Sequence, residues 1–330
     1  MARENLQLAN ELRAEKLAAD AAVPRVRVSI TSAASELARH VIKMIASGHV
    51  FPPAFKVNLT LCETDTSTLS AINLAYGSVD QPPVVTSDPD QFFTGADVIL
   101  LLDDVTAGEG ERRADWLRRV YDKFSVYARH IDAVCSREVV VVVAAVNSAA
   151  NFVGTVLSRC APGIPAQNVV VVSRLVEDGA AADISRRVGV NARSVVDLVV
   201  WGDASAANPS RFWLDVSRAK IYDSDTSAVW GPQHCRSVER LIQNRRWLHR
   251  DLPAILSSSS SLSSSAVISM ATSVTSFLSD WWTGNCSSQR LHSLAVASQG
   301  SSHQYFVVAQ SVSSYWFYAC VYVCVITYCG

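Results

Sequence analysis

The residues with the clearest chemical potential are the eight cysteines, which could bind a metal ion or form disulfides. None forms a CxxC pair, and the three nearest the end of the chain have no His or acid close by to complete a zinc site. The first twenty residues are charged throughout and lack the apolar run of a secretory signal. We therefore expect a cytoplasmic protein without bound metal and with free thiols at Cys62, Cys135, Cys160, Cys235, Cys286, Cys320, Cys324 and Cys329.

A cluster of basic side chains between residues 236 and 250 could contact nucleic acid or an acidic partner. Glu239 and Asp251 dilute its charge, which favours a solvated helix face instead. The chain carries 29 basic and 30 acidic residues, so its net charge is −1 and no general field attracts phosphates. We expect no nucleic-acid partner.

Short apolar strands that alternate with helices must position any site in the first two hundred residues. The run VVVVVAAV at 139–146 is typical of a central strand, and the apolar run DVILLL at 97–102 indicates burial on both faces. We predict strands at 25–30, 57–61, 97–102, 139–146, 169–172 and 195–201, and helices at 33–45 and 111–135. The alternation predicts an α/β fold with a parallel sheet covered on both faces.

The pattern changes beyond residue 202. We predict a strand of a second sheet within 211–222, helices at 236–256 and 266–282, and a flexible serine-rich loop at 257–265. Residues 304–330 contain no charged residue. Their firm apolar part, 315–328, is short for a span of ~20 residues, so membrane association is not expected and a tail anchor stays the lesser alternative.

Three segments carry a resemblance to a known family: GEGERRADWLRRV, RCAPGIPAQNVVVVSRL and RRVGVNARSVVDLVVWGDAS. They resemble the lactate/malate dehydrogenase family, within its cytosolic malate dehydrogenase group. The flanks VSITSAASELARHVIKMIASGHVF and SAVWGPQHCRSVERLI look most like the malate dehydrogenase 1B branch. The resemblance covers roughly residues 3–297.

The resemblance implies a Rossmann-type parallel sheet followed by an α+β lactate/malate dehydrogenase C-terminal domain, which we expect to be incomplete. The predicted organisation is a leader helix at 1–22, a dinucleotide-binding domain at 23–165, the C-terminal domain at 166–297 and a divergent apolar tail at 298–330. The implied activity is the NAD-dependent interconversion of malate and oxaloacetate. A homodimer and a dicarboxylate ligand are also implied.

The catalytic positions of the family are not filled by catalytic residues. The family His, two residues after a Trp-Gly, falls on Ala204, and the Asp that orients it falls on Val176. Alanine can neither donate nor accept the proton of the substrate hydroxyl. Asp203 could replace the acid, but its neighbours give no reason for a raised pKa. None of the seven histidines has the family's local context: His40, His49, His130, His234, His249, His292 and His303.

The substrate positions are mostly empty as well. Arg113 matches the arginine that polarises the substrate carbonyl in the family, and Arg174 belongs to a neighbouring motif that does not replace the others. The remaining family positions fall on Ala107, Ser148 and Gly179. Bidentate recognition of a dicarboxylate is therefore incomplete.

The cofactor positions also depart from the family. Two glycines of the dinucleotide loop are Ser32 and Ser35, and their side chains crowd a bound pyrophosphate. Glu63 falls on the acid that binds the adenosine ribose, although it could equally be an exposed acid at a strand end. Asn151 survives near the nicotinamide position, and Asp103-Asp104 places two carboxylates beside the expected pyrophosphate.

Two functional classes stay open. The first is a malate dehydrogenase by descent whose activity is impaired or lost. The second is a non-catalytic dimerising or protein-binding module built on the dehydrogenase fold. Calorimetric titration with NADH would discriminate between them best.

Overall fold

The computed structural model describes residues 22–63, 67–68, 70–72, 82–144, 149–202, 212–215, 219–221, 264–283, 291–297 and 305–311. The predicted leader helix at 1–22 (apart from residue 22), the helix at 236–256 with its basic cluster, and most of the serine-rich loop lie outside these described residues.

The first part of the chain alternates strands and helices as predicted. Its elements are β1 (Arg25–Ile30), α1 (Glu36–Ala46), β2 (Lys56–Cys62), β3 (Val84–Thr86), α2 (Pro89–Phe93), β4 (Val98–Leu101), α3 (Arg113–Val134), β5 (Val140–Val143), α4 (Ala150–Cys160), β6 (Val169–Val172) and α5 (Arg174–Val188). The predicted strands at 25–30 and 169–172 are confirmed with their bounds, and most of the other predicted bounds differ by a few residues.

The second part contributes shorter elements. They are β7 (Val195–Val196), β8 (Val199–Gly202), β9 (Phe212–Asp215), β10 (Lys220–Ile221), α6 (Ser264–Thr283), β11 (Leu291–Ala297) and β12 (Tyr305–Ser311). The prediction of one continuous strand at 195–201 is wrong. Asp197 has a left-handed backbone with φ 61°, which ends β7 before β8 begins. β7 then pairs with β10, whereas β8 pairs with β9.

One sheet holds eight strands in the order β12-β11-β6-β5-β4-β1-β2-β3. The strands from β1 to β6 are parallel, and β11 and β12 are antiparallel to their neighbours. From β3 to β6 the strand order is that of a Rossmann sheet. The chain adds β2 and β3 on one side of β1, and then adds β4, β5 and β6 on the other side, so the strand order reverses between β1 and β4. The predicted α/β class with a mostly parallel sheet is confirmed.

The sheet extends beyond the predicted domain boundary at residue 165. β6 and β11 come from the predicted C-terminal domain, and β12 comes from the predicted tail, yet all three join the sheet that contains β1. Residues 312–330 lie outside the described part of the chain. Among the helices that the structure describes, none is long and apolar enough to cross a bilayer.

The buried strands separate two apolar layers. Alternate residues of β4 face opposite sides, so Leu100 packs with α1 and α6, whereas Ile99 packs with α3 and α4. All four residues of β4 and of β5 are buried, which is why both strands are apolar without alternation. Because β1, β2 and β4 are parallel neighbours, their carboxyl ends lie together at the same end of the sheet.

Candidate functional site

The candidate site lies where the strand order reverses, at the carboxyl ends of β1 and β4. In open α/β sheets, ligands bind in the crevice that this reversal creates. The loop from Thr31 to Ser35 connects β1 to α1 here, and residues 102–112 connect β4 to α3. The amide of Leu102 donates to the Thr31 hydroxyl at 3.0 Å, which ties the two loops together at their bases.

Ser32 occupies a backbone conformation that favours glycine. Its φ is 50°, in the left-handed region, where a side chain costs ~1 kcal/mol or more. The Ser32 hydroxyl donates a hydrogen bond to Oδ1 of Asp103 at 2.9 Å. The serine therefore keeps the turn that a glycine would make, and its side chain ties the turn to the start of the next loop.

Ser35 has a different local role. Its backbone is extended, with φ −63°, and its hydroxyl accepts the amide of Ala38 at 3.1 Å. Ser35 is therefore the N-cap of α1, a position for which serine is among the preferred residues. The structure requires no glycine here.

Three consecutive backbone amides of this loop donate to groups of the protein itself. Ala33 donates to the Cys62 carbonyl at 3.1 Å, and Ser35 donates to the Ser32 carbonyl at 2.9 Å. Between them, Ala34 donates to Oε2 of Glu63 at 3.1 Å. Glu63 is half-buried at the end of β2, and its carboxylate bonds an amide of the loop one residue before the N-cap of α1.

Asp103, one of the two carboxylates predicted beside the pyrophosphate position, has its charge compensated by a lysine. Its side chain is buried, and Oδ1 lies 2.6 Å from Nζ of Lys123 on α3. The Tyr127 hydroxyl donates to the same oxygen at 3.2 Å. Burial, followed by the charge of Asp103, raises the pKa of Tyr127, which therefore stays protonated as a donor.

Lys123 and Tyr127 are the residues that sequence reasoning missed. Their spacing of four residues places them on one face of α3, and that spacing was visible in the sequence. The sequence did not show that this face meets Asp103. Asp104, the other acid of the pair, is exposed.

The described cysteines do not add chemistry to the site. Cys62, Cys135 and Cys160 are free, as expected. Burial, with smaller contributions from Asp103 and Glu63, raises the pKa of Cys62 to about 11, and burial raises the pKa of Cys135 to about 12. No group of His, Cys, Asp and Glu that could hold a metal ion occurs among the described residues.

The predicted substrate residues lie on the second loop and the start of α3. Arg113 is the first residue of α3 and is exposed, as is Ala107 within the loop. The neighbouring Arg112 pairs with both carboxylate oxygens of Asp115, at 2.7 and 3.1 Å. Of the arginines around the helix start, Arg113 alone matches the resemblance.

The predicted catalytic position on α5 is part of the core. Val176 is 1% exposed and packs with residues beneath α3 and α4. Arg174, at the start of α5, contacts Asp280 on α6 and lies 3.7 Å from Asp178. Burial raises the pKa of Asp178, although Arg174 and the Ser273 hydroxyl oppose the shift. Arg174 thus joins α5 to α6.

Of the remaining predicted residues, two lie in described helices and two lie outside the described residues. Gly179 lies within α5 and is half-buried, and Asn151 lies in the first turn of α4, where its carbonyl accepts the Thr155 hydroxyl at 2.9 Å. Ser148 and Ala204 lie outside the described residues. The structure therefore brings together Ser32, Ser35 and Glu63 with Asp103, but it does not describe the whole predicted catalytic group.

Comparisons with known proteins agree with this architecture. No family model matches the chain. A protein of Branchiostoma floridae named "Putative malate dehydrogenase 1B" is 30% identical over 314 residues, which cover 91% of this chain and 58% of the relative. A malate dehydrogenase of Rubrobacter xylanophilus is 28% identical over 298 residues, covering 87% of this chain and 84% of the relative.

Solved structures show the same fold. Malate dehydrogenase from Naegleria fowleri superposes with a TM-score of 0.72 at 21% identity, covering 88% of this chain and 87% of the other. Trichomonas vaginalis lactate dehydrogenase in complex with NADH and oxamate gives a TM-score of 0.66 at 19% identity, covering 86% of each chain.

The sheet and its reversal point define an α/β protein with the fold of malate and lactate dehydrogenases. Together with the sequence relatives, this supports the lactate/malate dehydrogenase family for the chain. The chain spans 58% of the length of the Branchiostoma relative and 53% of that of a Bos taurus relative of the same name.

Proposed function

We propose that this chain is a malate dehydrogenase-family protein whose NAD-dependent interconversion of malate and oxaloacetate is impaired or lost. The observation that carries the proposal is the hydrogen bond from the Ala34 amide to Glu63. Amides at the start of this helix are the donors that hold a pyrophosphate in Rossmann proteins. Here Glu63 bonds the Ala34 amide, which lies one residue before the N-cap Ser35, and so places a carboxylate of the chain itself beside those donors.

Glu63 opposes a bound dinucleotide in two ways. It already bonds the Ala34 amide next to the first turn of α1, and a pyrophosphate at that turn would meet its negative charge within a few ångströms. At ~5 Å in a medium of effective dielectric about 20, two unit charges of the same sign repel by ~3 kcal/mol. The Ser32 side chain, which the left-handed turn directs onto Asp103, adds bulk where the family has none. These residues do not fit a dinucleotide as they stand.

The catalytic positions support the same proposal. Hydride transfer to oxaloacetate requires a group that delivers a proton to the carbonyl oxygen, and Ala204 has none. The family acid that orients this group is Val176, whose side chain is enclosed by the core. Loss of a positioned acid–base group lowers the rate by ~10²–10⁴.

Substrate binding is weakened for a related reason. Arg113 is exposed and can bind a carboxylate or a carbonyl of the substrate. Ala107 and Gly179, at the positions of the other two family arginines, supply no second cationic group. A dicarboxylate is therefore held at one point rather than clamped. We keep a dicarboxylate as the ligand class of this site.

A second candidate is a non-catalytic dimerising or binding module, in the cytoplasm. It is favoured by Asp103, which Lys123, Tyr127 and Ser32 all contact. These contacts hold the loops of the reversal point together without a cofactor. A fold that supports itself in this way can be retained for binding after catalysis is lost.

The test is NADH oxidation by the purified protein with oxaloacetate at neutral pH. We expect turnover at least ~10⁴-fold below that of a competent family member, from the lost proton donor and the lost positioning. Turnover in the ordinary range of ~1–10³ per second would refute the proposal.

A restored variant makes this test sharper. Ala204→His, Val176→Asp and Gly179→Arg together return the family residues, and NADH binding is measured on the same protein. Some return of activity in a variant that binds NADH would place these positions in the ancestral site. No return despite binding would show that the correspondence with the family is misplaced or that the site has changed shape.

A further inference from the structure

Residues 103–111, which follow β4, lie against one face of α3, and we call them the strap. The helix side chains that contact it are Trp116, Arg119, Lys123 and Tyr127. Their spacing of three and four residues puts them on a single face of the helix. We propose that the chain's own side chains fasten the strap to α3, and that the strap is released when the Glu111–Arg119 pair breaks.

The middle of the strap is held by one carboxylate. Glu111 accepts from Arg119 through both oxygens, at 2.8 and 2.6 Å, and Oε2 also accepts the Gly108 amide at 2.8 Å. The same guanidinium donates to the Thr106 carbonyl at 2.9 Å. The hydrogen bond from Arg119, followed by that from Gly108, lowers the pKa of Glu111 to about 2, so the pair stays charged at neutral pH.

The contacts that hold the beginning of the strap are more buried than those of its middle. Asp103 is buried against Lys123, and the indole of Trp116 donates to the Val105 carbonyl at 2.6 Å. By contrast, the Arg119 side chain is 51% exposed. Because exposed ion pairs are screened by salt and buried ones much less, the middle of the strap is its weakest attachment. Gly110, with φ 70°, provides a turn at which the chain can pivot.

This arrangement has a consequence for the cleft. The strap contains Ala107 and leads directly into Arg113, two positions that the family uses for substrate. Because an exposed ion pair of its own helix holds the strap, ionic conditions govern its opening. The inference does not depend on loss of catalysis, and it applies to an active and to an inactive protein.

Hydrogen exchange of the full chain tests it. Arg119→Gln should raise the exchange rates of the Gly108 and Glu111 amides on the order of tenfold, since it removes charge-assisted hydrogen bonds. Arg118→Gln is the matched control, because Arg118 is the adjacent arginine and is exposed. It should change these rates by less than about twofold. The amides of β4 and β5 report whether either variant is globally destabilised.

Two further measurements keep the inference refutable. Glu111→Gln should reproduce the effect of Arg119→Gln, and raising the salt concentration should speed exchange in the wild type but not in either variant. Equal exchange of the strap amides in wild type and Arg119→Gln would overturn the inference. Fast exchange of these amides in the wild type at low salt would overturn it as well.

Discussion

Two regions of this protein have departed from the family in opposite ways. At the reversal point of the sheet, polar residues make new contacts with one another: Ser32 with Asp103, and Glu63 with Ala34. At the start of α5, the position that we propose for the family acid holds Val176, an apolar residue in the core. In the first region, hydrogen bonds join the loops to each other. In the second region, an apolar side chain packs into the core.

The difference indicates what each region can recover. A hydrogen-bonded loop can be released by substitutions that remove a donor or a charge, and Ser32 already has the left-handed backbone that a glycine would adopt. A core position cannot accept a carboxylate without burying it. We therefore expect the cofactor half to be easier to restore than the catalytic half.

The largest effect is expected for Val176→Asp. A carboxylate at a position that is 1% exposed should lower the free energy of unfolding by at least about 3 kcal/mol. Val126→Asp is the control, since Val126 is 41% exposed on α3, and it should cost no more than about 0.5 kcal/mol. Urea denaturation measures both. Equal effects of the two substitutions would mean that the Val176 position opens onto solvent.

A smaller effect is expected for Lys123→Met, which leaves the buried Asp103 without its cation. We expect a loss of about 2 kcal/mol, less than for a fully buried pair, because the Lys123 side chain is 38% exposed. Adding Asp103→Asn should recover part of the loss. Lys43→Met, at an exposed position of α1, is the control in the same denaturation experiment. No recovery in the double variant would show that the two side chains are not coupled.

The smallest effect is expected at Ser32. Ser32→Gly loses the hydrogen bond to Asp103 but relieves the left-handed backbone, whereas Ser32→Ala loses the bond and keeps the strain. The glycine variant should therefore be more stable than the alanine variant by about 1 kcal/mol. Thermal denaturation of the two variants decides this, and the reverse order would contradict the assigned turn.

Much of the fold followed from sequence patterns. The apolar run at 169–172 and the alternating RVRVSI at 25–30 predicted their strands with the correct bounds, because burial on a sheet leaves a strong local signal. The prediction of one strand at 195–201 was wrong because a single residue, Asp197, breaks it with a left-handed backbone. An aspartate in the sequence does not by itself indicate that conformation. The pairing of β11 with β6 joins residues far apart in sequence, which no local pattern records.

The site was predicted less completely than the fold. The sequence identified Ser32, Ser35 and Glu63 by resemblance, and the structure places all three around one loop. It did not reveal which groups they contact. The cap made by Ser35, the compensation of Asp103 by Lys123 and the bond from Ala34 to Glu63 all depend on distances between elements, which the sequence does not contain.

The most direct test of the central claim is calorimetric titration with NADH of the wild type, Glu63→Gln and a control, Glu138→Gln, at an exposed position before β5. We predict that the wild type and the control bind NADH weakly, with dissociation constants well above the micromolar range. Glu63→Gln should bind NADH at least about tenfold more tightly, because the competing charge is gone. Low-micromolar binding by the wild type that weakens in Glu63→Gln would contradict the account, since Glu63 would then serve the cofactor rather than exclude it.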